Sequence, residues 1–430
     1  MYINIIRKCL LLYLLFFGIV PCAFSEPNGY PVKPTQQAPR QTQLVKPAAN
    51  FGGASSVGAQ LKEDALLKKS IFSFPSIDRA LAPWLAFKKS LQQEIGLQFG
   101  VDYQVLYQAV NESLTNERDA AGGIFRIYGK WTMIDRDGKD KGSLVFKVEN
   151  RQRFTNIPPS ALGSQFGYNG LTGMLFSNIH TVLNTLYWEQ YFFQGRAGLA
   201  IGRLDPTDFI DTLGYANPWT TFQNLSILVD PSIALPDTGV GAVGGFWLDN
   251  KINIGAGIYD ANGLMTELKS YQYGAEFFTH IEVGYSPSQK ERLTRNVHLV
   301  YWEVDARKHS GIPKSDGIAI SANWLLQQTW LPFFRAGISN GKAALMKKSI
   351  TVGAGYSFIK NSDVLACGVN WGEPSGALIR KNQFTTELFY RIQLAQHITI
   401  TPDIQWIYHP AANPTHTQAW VFGLRARLEL

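Results

Sequence analysis

The residues best suited to chemistry in this chain are charged and amide groups that recur at every second position of otherwise apolar stretches. In the closing segment, Arg425, Arg427 and Glu429 alternate with Leu424, Ala426, Leu428 and Leu430. Glu387 and Arg391 alternate with Leu388, Tyr390 and Ile392, and Asp403 and Gln405 with Ile404 and Trp406. Arg126, Arg151, Arg153, Glu189 and Arg203 hold comparable positions earlier, and Asp205, Asp208 and Trp219 follow in a long connecting stretch. Guanidinium groups offer fixed donors, carboxylates accept and rings stack. Facing one another across water, such groups exchange hydrogen bonds with a passing polar solute, each contact weak enough to be released. Catalysis asks for a tighter constellation. No Ser–His–acid set is brought together by strand parity, and His280, His298, His397, His409 and His416 lack metal-ligand spacing. No catalytic residue, metal or cofactor is therefore expected.

Side chains alternate faces with period two only in an extended strand. The period recurs along "LQFGVDYQVLYQAV", "GIFRIYGKWTMI", "FTTELFYRIQL" and "HITITPDIQWIYH". It predicts strands near 97–110, 122–134, 143–154, 181–192, 197–204, 241–249, 251–260 and 273–286. Further strands follow near 293–305, 316–327, 329–339, 347–359, 363–371, 383–394, 397–408 and 418–430. Their connections alternate between short turns ("FQGR", "DN", "KNSD", "AQ") and long loops at 155–180, 205–240, 261–272, 306–315, 372–382 and 409–417. That rhythm predicts an all-β fold, a transmembrane antiparallel β-barrel of about 16 strands with a short N-terminal helical segment. Lipid would meet the apolar face and water the charged one. An Arg or Lys on the lipid face would cost roughly 2–4 kcal/mol near the midplane, so the alternation itself points the charges inward.

Composition agrees. Of 430 residues, 13% are aromatic and 17% charged, and mean hydropathy is near zero, too apolar for disorder. Arg7, Lys8, the apolar run Leu10–Val20 and Ala23-Phe24-Ser25 predict a signal peptide over 1–25. Residues 26–56 read as a Pro/Gln-rich flexible extension, 57–96 as a helical periplasmic or plug segment, and 97–430 as the barrel. Of three cysteines, only Cys367 lies past the leader, so no intramolecular disulfide is expected. Basic residues are scattered rather than clustered with stacking aromatics, which argues against nucleic acid. Gly353 and Gly355, or Gly255 and Gly257, would leave room inside strands for a loop or a neighbouring barrel. Trp131, Trp188, Trp247, Tyr285, Trp302, Trp324, Trp330, Trp371, Trp406 and Tyr408 suit interfacial girdles.

Three stretches in order, "LYWEQYFFQGRAGLAIGRLDPTDF", "INIGAGIYDANG" and "TELFYRIQLAQHITITPDIQWIYHP", resemble the carbohydrate-selective porins of OprB type. The resemblance implies a sixteen-stranded porin of the Gram-negative outer membrane that admits small sugars by diffusion. Departures are the absence of a Trp-Gly-Gly segment before the first strand and a final Leu430 where such barrels most often end in Phe. A sugar would need rings for its C–H faces and polar groups to replace lost water bonds. Partners would then be membrane lipid and small sugars, with homo-oligomer against monomer left open. Three alternatives stand beside this reading. They are a general porin, an esterase-like barrel enzyme, and a soluble secreted β-rich protein using Asp205, Asp208 or Glu373 as paired carboxylates.

Overall fold

In the computed structural model, which describes residues 51–359, 362–376 and 378–430, sixteen antiparallel strands close into one barrel. The leader and most of the Pro/Gln-rich extension lie outside the described residues. The first half comprises β1 (Leu97–Val110), β2 (Asp119–Ile134), β3 (Gly142–Arg153), β4 (His180–Phe192), β5 (Ala197–Leu204), β6 (Gly239–Trp247), β7 (Ile252–Asp260) and β8 (Phe277–Tyr285). The second half comprises β9 (Arg295–Val304), β10 (Ser315–Trp324), β11 (Trp330–Asn340), β12 (Met346–Tyr356), β13 (Val364–Pro374), β14 (Gln383–Ala395), β15 (Ile398–Tyr408) and β16 (Gln418–Glu429). Each strand pairs with its sequence neighbours, and β1 closes the ring on β16 from Asp102↔Glu429 to Val110↔Val421. Closure gives every ladder N–H and C=O a partner and removes the sheet edges, as hydrocarbon requires.

The wall is inverted relative to a soluble protein. On β1, Tyr103 and Tyr107 are exposed while Asp102, Gln104 and Gln108 are buried. On β16, Trp420, Phe422 and Leu424 are exposed while Arg425, Arg427 and Glu429 are buried. The interior is not uniformly polar, however. Val300, Trp302 and Phe278 face inward and pack with Ile210 and Ile233 of the 205–238 loop in one apolar cluster.

The same parity corrects the girdle expectation at two positions. Trp247 and Trp302 are fully buried on the lumen side, in step with Val243 and Val300 rather than with the exposed Phe246 and Tyr301. The strand expected from residue 273 begins only at Phe277. Tyr271 and Gly274 take positive φ of 55° and 118°, which breaks extended backbone.

Among the described residues, two helices precede the wall. Helix α1 (Val57–Asp64) lies within the barrel, and α2 (Pro75–Ile95) packs against β1 and β2. Proline opens α2 and Gly96, at φ 80°, ends it, with its N–H donating to the Gln92 carbonyl at 3.2 Å. The helical segment expected over 57–96 is interrupted after Asp64, where the chain turns out along the wall. There the N–H groups of Ile71 and Phe72 donate to the carbonyls of Gln393 and Leu394 at 3.0 and 2.9 Å.

Candidate functional site

Two of the long connections fold inward instead of standing above the rim. The loop between β5 and β6 (205–238) begins with Asp205, whose carboxylate accepts from the Thr207 N–H at 3.1 Å and fixes a single helical turn. Further along, Asn224 caps the turn Leu225–Leu228 in the same way, accepting from the Ser226 N–H at 3.0 Å. The wall then grips this loop at several points along the arc from β11 to β16. Arg335 of β11 donates to the carbonyls of Ile227, Leu228 and Asp211 at 2.8, 2.9 and 3.0 Å. Its Nε lies 2.8 Å from the Asp211 carboxylate, which also meets His298 Nε2 at 2.9 Å. Burial alone would raise the Asp211 carboxyl. Arg335 and His298 overcome that and hold it below the usual carboxylate range.

Three strands further round, on β14, Glu387 accepts from the N–H groups of Gln223 and Asn224 at 2.6 and 2.9 Å. Gln405 accepts from Asn224 at 2.9 Å and donates to the Thr172 carbonyl of the 154–179 loop at 2.9 Å. Arg425 donates to the carbonyls of Pro218 and Thr221, both at 2.8 Å. Gly355 leaves the space that the Tyr215 ring of this loop occupies, so that glycine serves an inward loop and not a neighbouring barrel.

Above the loop contacts lies a cavity of about 470 Å³, bordered by both inward loops and by parts of two others. Ser55, Lys147, Arg151, Asp205, Asp208 and Trp219 supply its polar and aromatic lining. Lys147 Nζ stands 3.8 Å from both Asp205 and Asp208 and 4.0 Å from Glu149. Burial pushes the Asp208 carboxyl up to about 6, with Lys147 opposing that rise. The Trp219 ring lies 3.5 Å from the Arg126 guanidinium, which is paired with Asp102. Donors, acceptors and a ring plane, with the Asp237 carboxylate also on the border, thus converge on one water-accessible space that carries both signs of charge.

Below it, the segment from residue 51 to Asp64 runs through the lumen. Phe51 stacks on Tyr191 at 6.2 Å in room left by Gly198 and Gly245. Glu63 pairs with Arg391 at 2.8 Å, and Asp64 with Arg427 at 2.9 Å. Tyr128 also donates to Asp64.

Of the residues singled out from sequence, Arg151, Asp205, Asp208 and Trp219 border the cavity. Arg126 sits directly beneath Trp219. Glu387, Gln405 and Arg425 hold the loop, while Asp403 accepts from the Gln405 amide at 3.1 Å. Arg391 holds α1. Glu189 takes hydrogen bonds from Lys130 and Tyr191. Two residues are corrected. Arg203 falls in the row of the exposed Leu199 and Ile201, opposite the exposed Leu186, rather than in the inward row, and its guanidinium donates to the carbonyls of Leu183, Asn184, Leu264, Met265 and Glu267. It ties the 261–276 loop to β4 and is absent from the cavity border. Arg153 is exposed at the rim, donating to the Asn156 carbonyl. The sequence reading left Asp211 and Arg335 unnoticed, and His298 is committed to Asp211 rather than to a nucleophile.

Residues 270–430, from just before β8 to the end, match the family described as "Carbohydrate-selective porin, OprB family". Among curated relatives, Porin AaxA of Chlamydia abortus is 24% identical over 376 residues, covering 81% of each chain. Porin AaxA of Chlamydia felis is 24% identical over 354 residues, covering 78% of this chain and 79% of the relative. Among solved structures, Pseudomonas putida OprB at high pH superposes with a TM-score of 0.65 at 13% identity, covering 81% of this chain and 97% of that one. A mutant of the Rh. blastica porin gives a TM-score of 0.50 at 12% identity, covering 78% of this chain and all of that one. At such identities the structural likeness speaks to fold.

Proposed function

We infer that this chain, whose residues 270–430 match the carbohydrate-selective porin, OprB family, is an outer-membrane porin through which small sugars diffuse passively. The observation that carries the reading is the cavity, where Trp219 offers a ring plane beside Lys147, Arg151, Asp205 and Asp208. A sugar is uncharged, so a site carrying both signs of charge neither traps nor repels it as it would an ion. Its hydroxyls replace water bonds one by one while its C–H face slides over the indole. The short turns would then face the periplasm and the long loops the cell exterior.

Conductance of the refolded protein in planar bilayers tests this. Added sugar is expected to reduce open-channel current, and Trp219→Ala to weaken that block by on the order of tenfold, the worth of one lost ring contact. No open channel, or a current indifferent to sugar in the wild type, would overturn the reading.

The raised pKa of Asp208 adds a pH dependence. As pH falls through about 6 the carboxyl takes up a proton, and the reversal potential should move toward anion preference. Asp208→Asn should flatten that step. The sign for stability follows from linkage. A carboxyl raised above its ordinary value near 3.8 favours the folded barrel at low pH, and that contribution is lost as pH rises through about 6.

A further inference from the structure

Helix α2 carries an apolar arc on one side and charge on the other. Ile77, Leu81, Trp84, Leu91 and Ile95 fall on one arc of the helix, with Lys88 near its centre and Leu85 and Phe87 at its flanks. Arg79 and Gln93 fall opposite, while Asp78 and Glu94 border the flanks. In a soluble protein such an arc would be buried, yet α2 contains no buried residue. Ile77, Leu85 and Phe87 are 46%, 38% and 49% exposed. The exposure continues into the preceding segment, where Ile71, Phe72 and Phe74 are also exposed.

What the helix does touch decides what covers the rest. Trp84 packs edge-on against Phe99 at 5.5 Å, and Lys88 donates to the Leu430 carbonyl at 2.8 Å. Trp131 Nε1 donates to the Ile95 carbonyl at 3.0 Å. Phe99 and Trp131 belong to the outward face of β1 and β2, in step with the exposed Tyr103 and Ile127. The helix is therefore seated on the outer skin of the barrel, at the end where the turns are short. Its uncovered apolar flank is continuous with the lipid-facing wall. Scattered surface apolar residues need no partner, but a contiguous band joined to a membrane-facing surface does.

We propose that α2 is an interfacial anchor lying in the periplasmic leaflet, with Ile77, Leu85 and Phe87 among phospholipid acyl chains and its polar side toward water. Lys89 borders Leu85 on the wheel and suits a lipid phosphate at that depth. The proposal rests on the porin reading only for which membrane and leaflet are meant.

The test uses the full chain with Cys9→Ser, Cys22→Ser and Cys367→Ser. One cysteine at a time is introduced as Phe87→Cys, Leu85→Cys, Gln93→Cys or Leu424→Cys and labelled with an environment-sensitive fluorophore. The protein is reconstituted in phosphatidylethanolamine–phosphatidylglycerol vesicles containing brominated acyl chains. Labels at 87 and 85 are expected to lose at least half as much emission as the wall position 424, while the label at 93 is quenched by iodide instead. If 424 is quenched but 87 and 85 respond like 93, the helix lies in water and the proposal fails while the barrel stands. If 87 and 85 are shielded from both quenchers, another copy or another part of the chain covers the arc, and the proposal again fails. If 424 itself is untouched by bromolipid, the membrane reading of the whole chain fails.

Discussion

Arg335→Leu is expected to release the 205–238 loop from the wall, making it cleavable by protease in an otherwise intact barrel and raising channel conductance. Arg335 is 1% exposed, and its guanidinium holds three loop carbonyls together with the Asp211 carboxylate. Leucine would keep the volume of the site while stranding Asp211, still buried, with His298 as its remaining partner. Removing one member of a buried pair costs about 3–5 kcal/mol, chiefly because the other charge stays behind. The ladder itself does not depend on this residue, since β11 keeps its register with β10 and β12 through the backbone. The loss should therefore fall on the loop. Limited proteolysis of the folded protein, read by where the chain is cut, separates the outcomes. A loop as resistant as the wild type's, with unchanged conductance, would show that Glu387, Gln405 and Arg425 hold it unaided.

Deleting residues 51–64 should have the larger effect on current. This stretch runs through the lumen with Phe51 against Tyr191 and α1 against Arg391 and Arg427. With it gone, conductance should rise on the order of several-fold, as expected when a water-filled lumen loses an occluding segment. Selectivity should move as well. The deletion removes Lys62 against Glu63 and Asp64, a net loss of one negative charge; it takes the carboxylate from Arg391 and one of three carboxylates from Arg427. A reversal potential shifted toward anions is the expected companion of the larger current. An unchanged current would mean that permeation follows another route past this segment.

The wall was legible because each strand repeats one simple rule. The expected spans 97–110 and 197–204 coincide with β1 and β5 at both ends, although the period of two breaks in β5 after Gly202, where Arg203 and Leu204 are both buried. Parity also placed Arg126, Glu387, Gln405 and Arg425 inside. What parity cannot express is the content of the interior. Arg203 sits in the row of the exposed Leu199 and Ile201, yet it is buried, because a loop more than sixty residues later supplies three of its carbonyl partners. Arg335 reads as one more charge on an alternating strand, because its loop partners lie 107 to 124 residues earlier. Trp247 and Trp302 look like membrane-surface aromatics by composition. Only the folded loop reveals the apolar surface that draws rings such as Trp302 inward.

The seam between the first strand and the last constrains how this molecule can be made. Asp102 pairs with Glu429 across nearly the whole described chain, and the N–H of Leu430 donates to the Val101 carbonyl at 2.7 Å. A nascent polypeptide therefore holds β1 with one edge open until synthesis is complete. Contacts of such long sequence separation form slowly, so the unfinished sheet has to be shielded in transit, and shortening the chain by even one strand removes its zipper.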